Sequence, residues 1–386
     1  GINVITGAAG GTLTGRDVAS TWTLAAATTY SDGGAGGALT FLGFDTLIGG
    51  SQIDTFNVTS ANDVDLQGGD GADVFDVDAI LTGFVDGQAG NDTLQGNLII
   101  NASVTGSAVN GYAGTADGVT AGYLGINVLT GDGAGGTLTG ANVANSTWNL
   151  GAAQTYNDNA GNGTLTFSLF STLQGNVQAD TFNVTADTTA ILLGNTGTDT
   201  FDIAAGATLT GSIDGEGGDD TLQGTGIDAV TITDLVAGSA SGTEGNINNG
   251  LLNGFSNIEN FTGNGVGTFA GQAVVAGTWN LNGATSNYND ADGGAGITVQ
   301  GFADFLGGDV GDTFTVNVAT TVNLTGGTNN DLFNVNAVLN GSIAGGANPD
   351  DTDTLQGTQI ATVALTGLDL NGADGAANSV LGGFGD

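Results

Sequence analysis

Asp54-Thr55-Phe56, Asp73-Val74-Phe75 and Asp92-Thr93-Leu94 stand 19 residues apart. The trio returns as Asp180-Thr181-Phe182, Asp199-Thr200-Phe201 and Asp220-Thr221-Leu222, and again as Asp312-Thr313-Phe314, Asp331-Leu332-Phe333 and Asp353-Thr354-Leu355. Two positions after each Asp the residue reads Phe, Phe, Leu in all three sets. A short period nested in a longer one marks stacked repeats, each burying its apolar face against the next. Runs such as Thr55-Phe56-Asn57-Val58-Thr59 and Val74-Phe75-Asp76-Val77-Asp78 alternate apolar and polar residues, the period of a strand with one buried face. Turn residues separate them, and the good helix formers Glu, Lys, Arg and Met are scarce or missing. Two strands and two turns then make one coil of 19 residues. The spacing predicts an all-β parallel solenoid, β-helix or β-roll in kind, with Phe56, Phe75 and Leu94 aligned inside it and the other two sets alike. Each coil adds ~4.8 Å.

The longer period is carried by tryptophan. Ser20-Thr21-Trp22-Thr23-Leu24, Ser146-Thr147-Trp148-Asn149-Leu150 and Gly277-Thr278-Trp279-Asn280-Leu281 are near copies, each followed by a tyrosine, Tyr30, Tyr156 or Tyr288. Three long repeats follow, 1–124, 125–262 and 263–386. Gly1-Ile2-Asn3-Val4 matches Gly125-Ile126-Asn127-Val128, and Leu381-Gly382-Gly383-Phe384 resembles Leu252-Asn253-Gly254-Phe255, so the chain reads as a segment of a longer repetitive protein. Residues 96–146 and 224–277 fit the 19-residue register badly and are expected to be wider coils or protrusions. The tryptophans are expected to pack in the core or at a coil edge; a sugar-stacking row is the alternative.

The chain has 73 Gly, one Pro, no Cys, His or Met, one basic residue (Arg16) and 39 acids, for a net charge of −38. Only Glu216, Glu244 and Glu259 among the acids are Glu; Asp is the turn-forming acid. Such charge excludes nucleic acid as a partner, since a phosphate backbone needs Lys and Arg, and argues against anionic membrane surfaces. Collagen is excluded by the lack of a three-residue Gly period. Arg16 aligns with Ala141 and reads as a solvated surface residue.

Gly68-Gly69-Asp70-Gly71-Ala72-Asp73-Val74-Phe75 carries glycines that permit a positive-φ turn, with backbone carbonyls facing one spot and an Asp adding a hard oxygen. It resembles the G-G-x-G-x-D-x-U-x nonapeptide of RTX (haemolysin-type) calcium-binding β-rolls at every specified position. Gly49-Gly50…Asp54, Gly87…Gly90…Asp92, Gly194…Gly197…Asp199, Gly215…Gly218…Asp220, Gly307-Gly308…Asp312 and Gly326-Gly327…Asp331 keep degenerate forms. The turn before Asp353 departs most, with Asn348-Pro349 where Gly-Gly is expected. Gly254-Phe255-Ser256-Asn257-Ile258-Glu259-Asn260-Phe261 is similar to connectors of giant bacterial secreted β-strand-repeat surface proteins of adhesin type. The resemblance implies Ca2+ held by Asp54, Asp70, Asp73, Asp92, Asp180, Asp199, Asp220, Asp312, Asp331 and Asp353. The motif occurs once per coil here, so one side of the roll would bind metal. The competing reading of the same aspartates is that they bond backbone N–H groups and close the coil.

Catalysis is not expected. Polysaccharide chemistry on parallel β-helices needs a base and a cation beside a developing enolate, and this chain has no His, no Lys and one Arg. The acids recur in near-identical turns, whereas an active site is a unique place. The resemblance and the repetition imply an extracellular, cell-surface role as the shaft of a bacterial fibre, sheath or surface layer. Self-association end to end or laterally is the expected partnership. An adhesin module for a glycan or other ligand is the alternative.

Overall fold

The two-residue alternation builds parallel ladders. The computed structural model describes all residues except 162, 237–238, 245–252, 291–295, 347, 349, 369–370 and 386, with the backbone only at 236 and 239–244. Among the described residues there are strands, bridges, turns and bends and no helix. The chain divides into two compact units, residues 1–182 with 190–196 and residues 183–189 with 197–386.

In the first unit Asp54–Val58 pairs in parallel with Val74–Val77, which pairs with Thr93–Gln95. The return strands Thr46–Ile48, Asp65–Gly71 and Val85–Gly90 form a second parallel ladder. Between the ladders the wall narrows to single bridges, Asn62 to Leu81 and Leu81 to Val119. One coil is 19 residues, the step from Asp54 to Asp73. Inside, Phe56 and Phe75 stack with ring centroids 5.1 Å apart and planes 9° off parallel, and Leu94 lies beside Phe75 in register. Trp22 extends the same column, stacked on Phe56 at 5.6 Å. All four side chains are fully buried.

The second unit repeats the plan. Phe201 lies opposite Leu222, and Phe314, Phe333 and Leu355 align across Thr313–Val318, Leu332–Val335 and Thr354–Gln356. Trp279 stacks on Phe314 at 5.4 Å and Phe314 on Phe333 at 5.2 Å. The tryptophans are therefore core members of the Phe column, and each supplies a large apolar area plus ring-stacking energy.

The segments outside the 19-residue register are antiparallel excursions of two kinds. The first follows each Trp strand: Ser20–Leu24 turns back as Thr29–Ser31 and again as Leu39–Leu42, which lays Tyr30 on Trp22 with centroids 4.5 Å apart. Tyr156 covers Trp148 and Tyr288 covers Trp279 in the same way. The second kind is a three-strand meander: Ala102–Ala108, Gly111–Ala116 and Val119–Ile126 in the first unit. In the second unit it is Ala229–Val236, Ser239–Glu244 and Phe255–Ile258, then Val363–Leu368, Ala373–Ala377 and Val380–Gly385. Residues 96–146 and 224–277 thus include protruding meanders rather than wider coils alone, because their strands reverse instead of winding on.

Stacking at one strand spacing leaves no room for a side chain at Gly90. A Cβ on Gly90, whose φ is +155°, would meet the Gly71 carbonyl oxygen at 1.3 Å. Gly90→Ala is therefore expected to unstack that turn. Phe75→Ala should cost about 3–5 kcal/mol, whereas Val74→Thr, on the outward side of the same strand, should cost under about 0.5 kcal/mol. Chemical denaturation of the three variants checks both the stacking and the inward direction of Phe75.

Candidate functional site

The nine aspartates of the trios sit at or just before the start of a core strand, and eight of them are buried, Asp353 only partly. Their side chains turn inward, parallel to the Phe column. Asp54 N donates to Asp73 Oδ1 (2.7 Å), Asp73 N to Asp92 Oδ1 (2.8 Å) and Asp92 N to Asn127 Oδ1 (2.9 Å). In the second unit Asp199 N donates to Asp220 Oδ1 (2.8 Å), Asp220 N to Glu259 Oε2 (2.7 Å), Asp312 N to Asp331 Oδ1 (2.7 Å) and Asp331 N to Asp353 Oδ1 (2.8 Å). Every acceptor serves the amide one coil nearer the N-terminus. At the Trp coils the donors are Ser20 Oγ to Asp54, Ser146 N (2.8 Å) and Oγ (2.6 Å) to Asp180, and Gly277 N to Asp312 (2.5 Å).

The second carboxylate oxygen differs along the column. In the first Asp of a set it accepts an amide of its own turn: Gly50 N on Asp54 (2.6 Å), Asn176 N on Asp180 (2.5 Å) and Gly308 N on Asp312 (2.6 Å). In Asp73, Asp92, Asp220 and Asp331, Oδ2 is buried with no hydrogen-bond donor. It rests against the glycine five residues earlier. A Cβ on Gly68 would lie 2.3 Å from Asp73 Oδ2 and 2.7 Å from the Gly87 carbonyl oxygen, and one on Gly326 would lie 2.1 Å from Asp331 Oδ2 and 2.6 Å from the Gly345 oxygen. Each cradle is bordered by a carboxylate oxygen and the next coil's carbonyl, an arrangement that favours a protonated carboxyl.

The electrostatics agree. Burial raises Asp73 to about 7, opposed by the Asp54 amide and reinforced by the carboxylates of Asp92, Asp54 and Asp70. Burial likewise raises Asp92 to about 6 and Asp220 and Asp331 to about 7. It also raises Asp180, Asp312 and Asp353. Arg16, the chain's single cation, is ion-paired on the surface with Asp32, whose carboxyl is lowered by the Gly34 amide first and Arg16 second.

The column unites Asp54, Asp73 and Asp92, then Asp199 with Asp220, and Asp312 with Asp331 and Asp353; Asp180 caps Ser146. Asp70 stands apart, exposed on the rim of its turn, with its amide on the Gly50 carbonyl at 3.1 Å. Before Asp353 the turn keeps its glycine pair. Gly345-Gly346 takes the place of Gly326-Gly327, a Cβ on Gly345 would lie 2.2 Å from Asp353 Oδ2, and extra residues follow the pair. Asn348 is not the counterpart of the leading glycine, and Pro349 lies outside the described residues. Asn127 and Glu259 carry the column onward and went unread in the sequence. Their signal is a polar side chain one place before a strand, in Asn127-Val128-Leu129 and Glu259-Asn260-Phe261. Ser20 and Ser146 were legible only as part of the Trp motif.

Calcium needs six to eight oxygens. Among the described residues no group of three or more Asp, Glu, His or Cys converges on one point. The donors at each cradle are oxygens only, which suits a hard cation, and carbonyls would have to supply most of the shell.

A carboxyl whose folded pKa is raised stabilises the fold fully below its unfolded pKa of about 4, and that contribution is lost as pH rises through about 6–7. Without added metal, the melting temperature should therefore fall between pH 5 and pH 8. Asp73→Ala leaves the buried Asp54 amide without its acceptor and should cost about 1–3 kcal/mol at either pH. Asp73→Asn keeps the acceptor, as Asn127 does naturally, and should flatten the pH dependence. Melting of the three proteins across this range checks all of it.

Compared with models of known protein families and with curated proteins, the sequence finds no match.

Proposed function

We propose that this chain is a structural segment of an extracellular bacterial fibre, sheath or surface layer, a shaft in which coil stacks on coil, with turns that take up calcium. The observation that carries the reading is the column of caps within each unit. Acceptors and rings recur from coil to coil, and Asn127 and Glu259 continue it past the last Asp of the first and second sets. A column that repeats supplies length and stiffness rather than a unique reactive place. The resemblance of Gly68–Phe75 to the RTX nonapeptide supports calcium and an external medium, where sites of this kind bind at about 10⁻⁴–10⁻³ M. Asp73, Asp92, Asp220 and Asp331 would hold the ion through Oδ2, with carbonyls such as that of Gly87, and the ion would remove repulsion between stacked carboxylates.

The adhesin reading draws on one observation: Val109, at a turn of the first meander, is 92% exposed. Immunogold labelling of source cells with an antibody to this chain separates the two. Continuous labelling along filaments or a surface coat is expected. Labelling confined to the cytoplasm would sink the proposal, and labelling only at discrete tips would favour the adhesin. Millimolar calcium should raise the melting temperature at pH 8 and do much less at pH 5, where protons occupy the cradles; no effect at pH 8 removes calcium from the proposal.

A further inference from the structure

The cap turns take two conformations, and the residue after the cradle glycine separates them. In the turns of Asp54, Asp180 and Asp312 that residue is Gly50, Asn176 or Gly308, none of which has a positive φ. Its amide lies on the Asp Oδ2 at 2.6, 2.5 and 2.6 Å. In the turns of Asp73, Asp92, Asp220 and Asp331 it is Gly69, Gln88, Glu216 or Gly327, at φ of +103°, +64°, +61° and +115°. There the left-handed backbone carries the amide away, and Oδ2 is buried without a donor on a side chain at most 2% exposed. The carbonyl wall is common to both kinds. A Cβ on Gly49 would lie 2.0 Å from the Gly68 oxygen and 2.5 Å from Asp54 Oδ2, much as one on Gly68 would meet the Gly87 oxygen and Asp73 Oδ2. The amide is what differs.

Glycine adopts the left-handed conformation freely, so Gly69 and Gly327 need no support, and Gly327 N has the Gly345 carbonyl at 3.1 Å. Gln88 and Glu216 are a different case. A residue with a long side chain stays there only when its surroundings hold it. The holder is the same in both turns: Gln88 N donates to Asp86 Oδ1 (3.0 Å) and Glu216 N to Asp214 Oδ1 (2.9 Å). Asp214 is itself fixed by Asn257 Nδ2 at 2.7 Å. Asp86-Gly87-Gln88 and Asp214-Gly215-Glu216 thus share an aspartate one place before the cradle glycine. One amide is offered two carboxylates, and in these turns the more exposed carboxylate has it.

We propose that the residue after the cradle glycine is a gate on the cation site, closed where its amide occupies Oδ2 and open where the backbone turns the amide away. Asp86 and Asp214 are positioning residues that hold the gate open at Asp92 and Asp220. The gate rests on the calcium uptake proposed above and sorts the aspartates within it. An amide on Oδ2 takes up an acceptor lone pair and sets its own positive end where the ion would sit. Asp73, Asp92, Asp220 and Asp331 therefore accept an ion, beside the carbonyl oxygens of Gly87, Gly125, Asn257 and Gly345 that border their cradles. Asp54, Asp180 and Asp312, which the nonapeptide resemblance would count as ligands, do not.

The closed turns are controls inside the same molecule. Calcium chloride is titrated into the whole chain at pH 8 while NMR follows the side-chain carboxyl carbons of the aspartates. Asp73, Asp92, Asp220 and Asp331 should shift and saturate at about 10⁻⁴–10⁻³ M calcium, and Asp54, Asp180 and Asp312 should move far less. Asp86→Ala frees the Gln88 amide to close on Asp92 and should weaken the Asp92 response about tenfold or more, the worth of an amide bond to a carboxylate. Asp86→Asn loses the charge but keeps the acceptor, and should recover most of that response. Asp331 is the unaltered reference in both variants. Equal responses in the two classes of turn, or equal losses in Asp86→Ala and Asp86→Asn, overturn the gate and leave calcium uptake standing. No response at any of these carboxyls removes calcium from the shaft, and the gate with it.

Discussion

Everything in this molecule depends on a carboxylate reaching one coil back to an amide that nothing else inside the coil can satisfy. The amide that opens each core strand is buried, and a buried donor left unpaired costs about 1–3 kcal/mol. Asp73, Asp92, Asp220, Asp331 and their fellows meet that need from within the solenoid. The glycine five residues earlier follows from it, because the second oxygen occupies the space a Cβ would take. The strand that follows is then held at the height where Phe stacks on Phe. Cap, glycine and ring are one device, repeated at the spacing of the coil.

That device explains which parts of the structure were legible. The Asp-to-Phe spacing repeats in the chain, and periodicity is the one tertiary fact a sequence states openly. Hence the parallel coils, the alignment of Phe56, Phe75 and Leu94, and the alternating inward faces could be read. The direction of the aspartates could not. Asp is commonest in exposed turns, and nothing in Gly68–Asp73 distinguishes a carboxylate facing solvent from one facing the core. The place of Trp22, Trp148 and Trp279 in the Phe column was hidden by the excursion that separates each from its Phe; the near-equal spacing of 34, 34 and 35 residues between the paired cap positions was the available clue. The meanders were hidden for the opposite reason. Their strands alternate just as coil strands do, and alternation does not say whether a strand winds on or turns back.

The column also places charge oddly. Nearly every titratable group is an acid, and the ones with the strongest reason to stay neutral are Asp73, Asp92, Asp220 and Asp331, whose second oxygen finds no amide. A Lys or Arg at that depth would need room that stacking at one strand spacing does not leave. Burial favours the protonated form of these carboxyls, so the fold's stability is tied to the pH of the surrounding medium rather than to any charged partner within the chain.

All the caps point the same way. Each coil lends an acceptor to the coil before it and borrows one from the coil after it, so a coil is complete only between two neighbours and is interchangeable with any other that offers the same Asp, Gly and Phe. A gene encoding such a chain can gain or lose whole coils by recombination between its own repeats without disturbing the remainder, provided the change comes in multiples of one turn of the solenoid. Length, in this architecture, is a quantity that heredity can adjust in discrete steps.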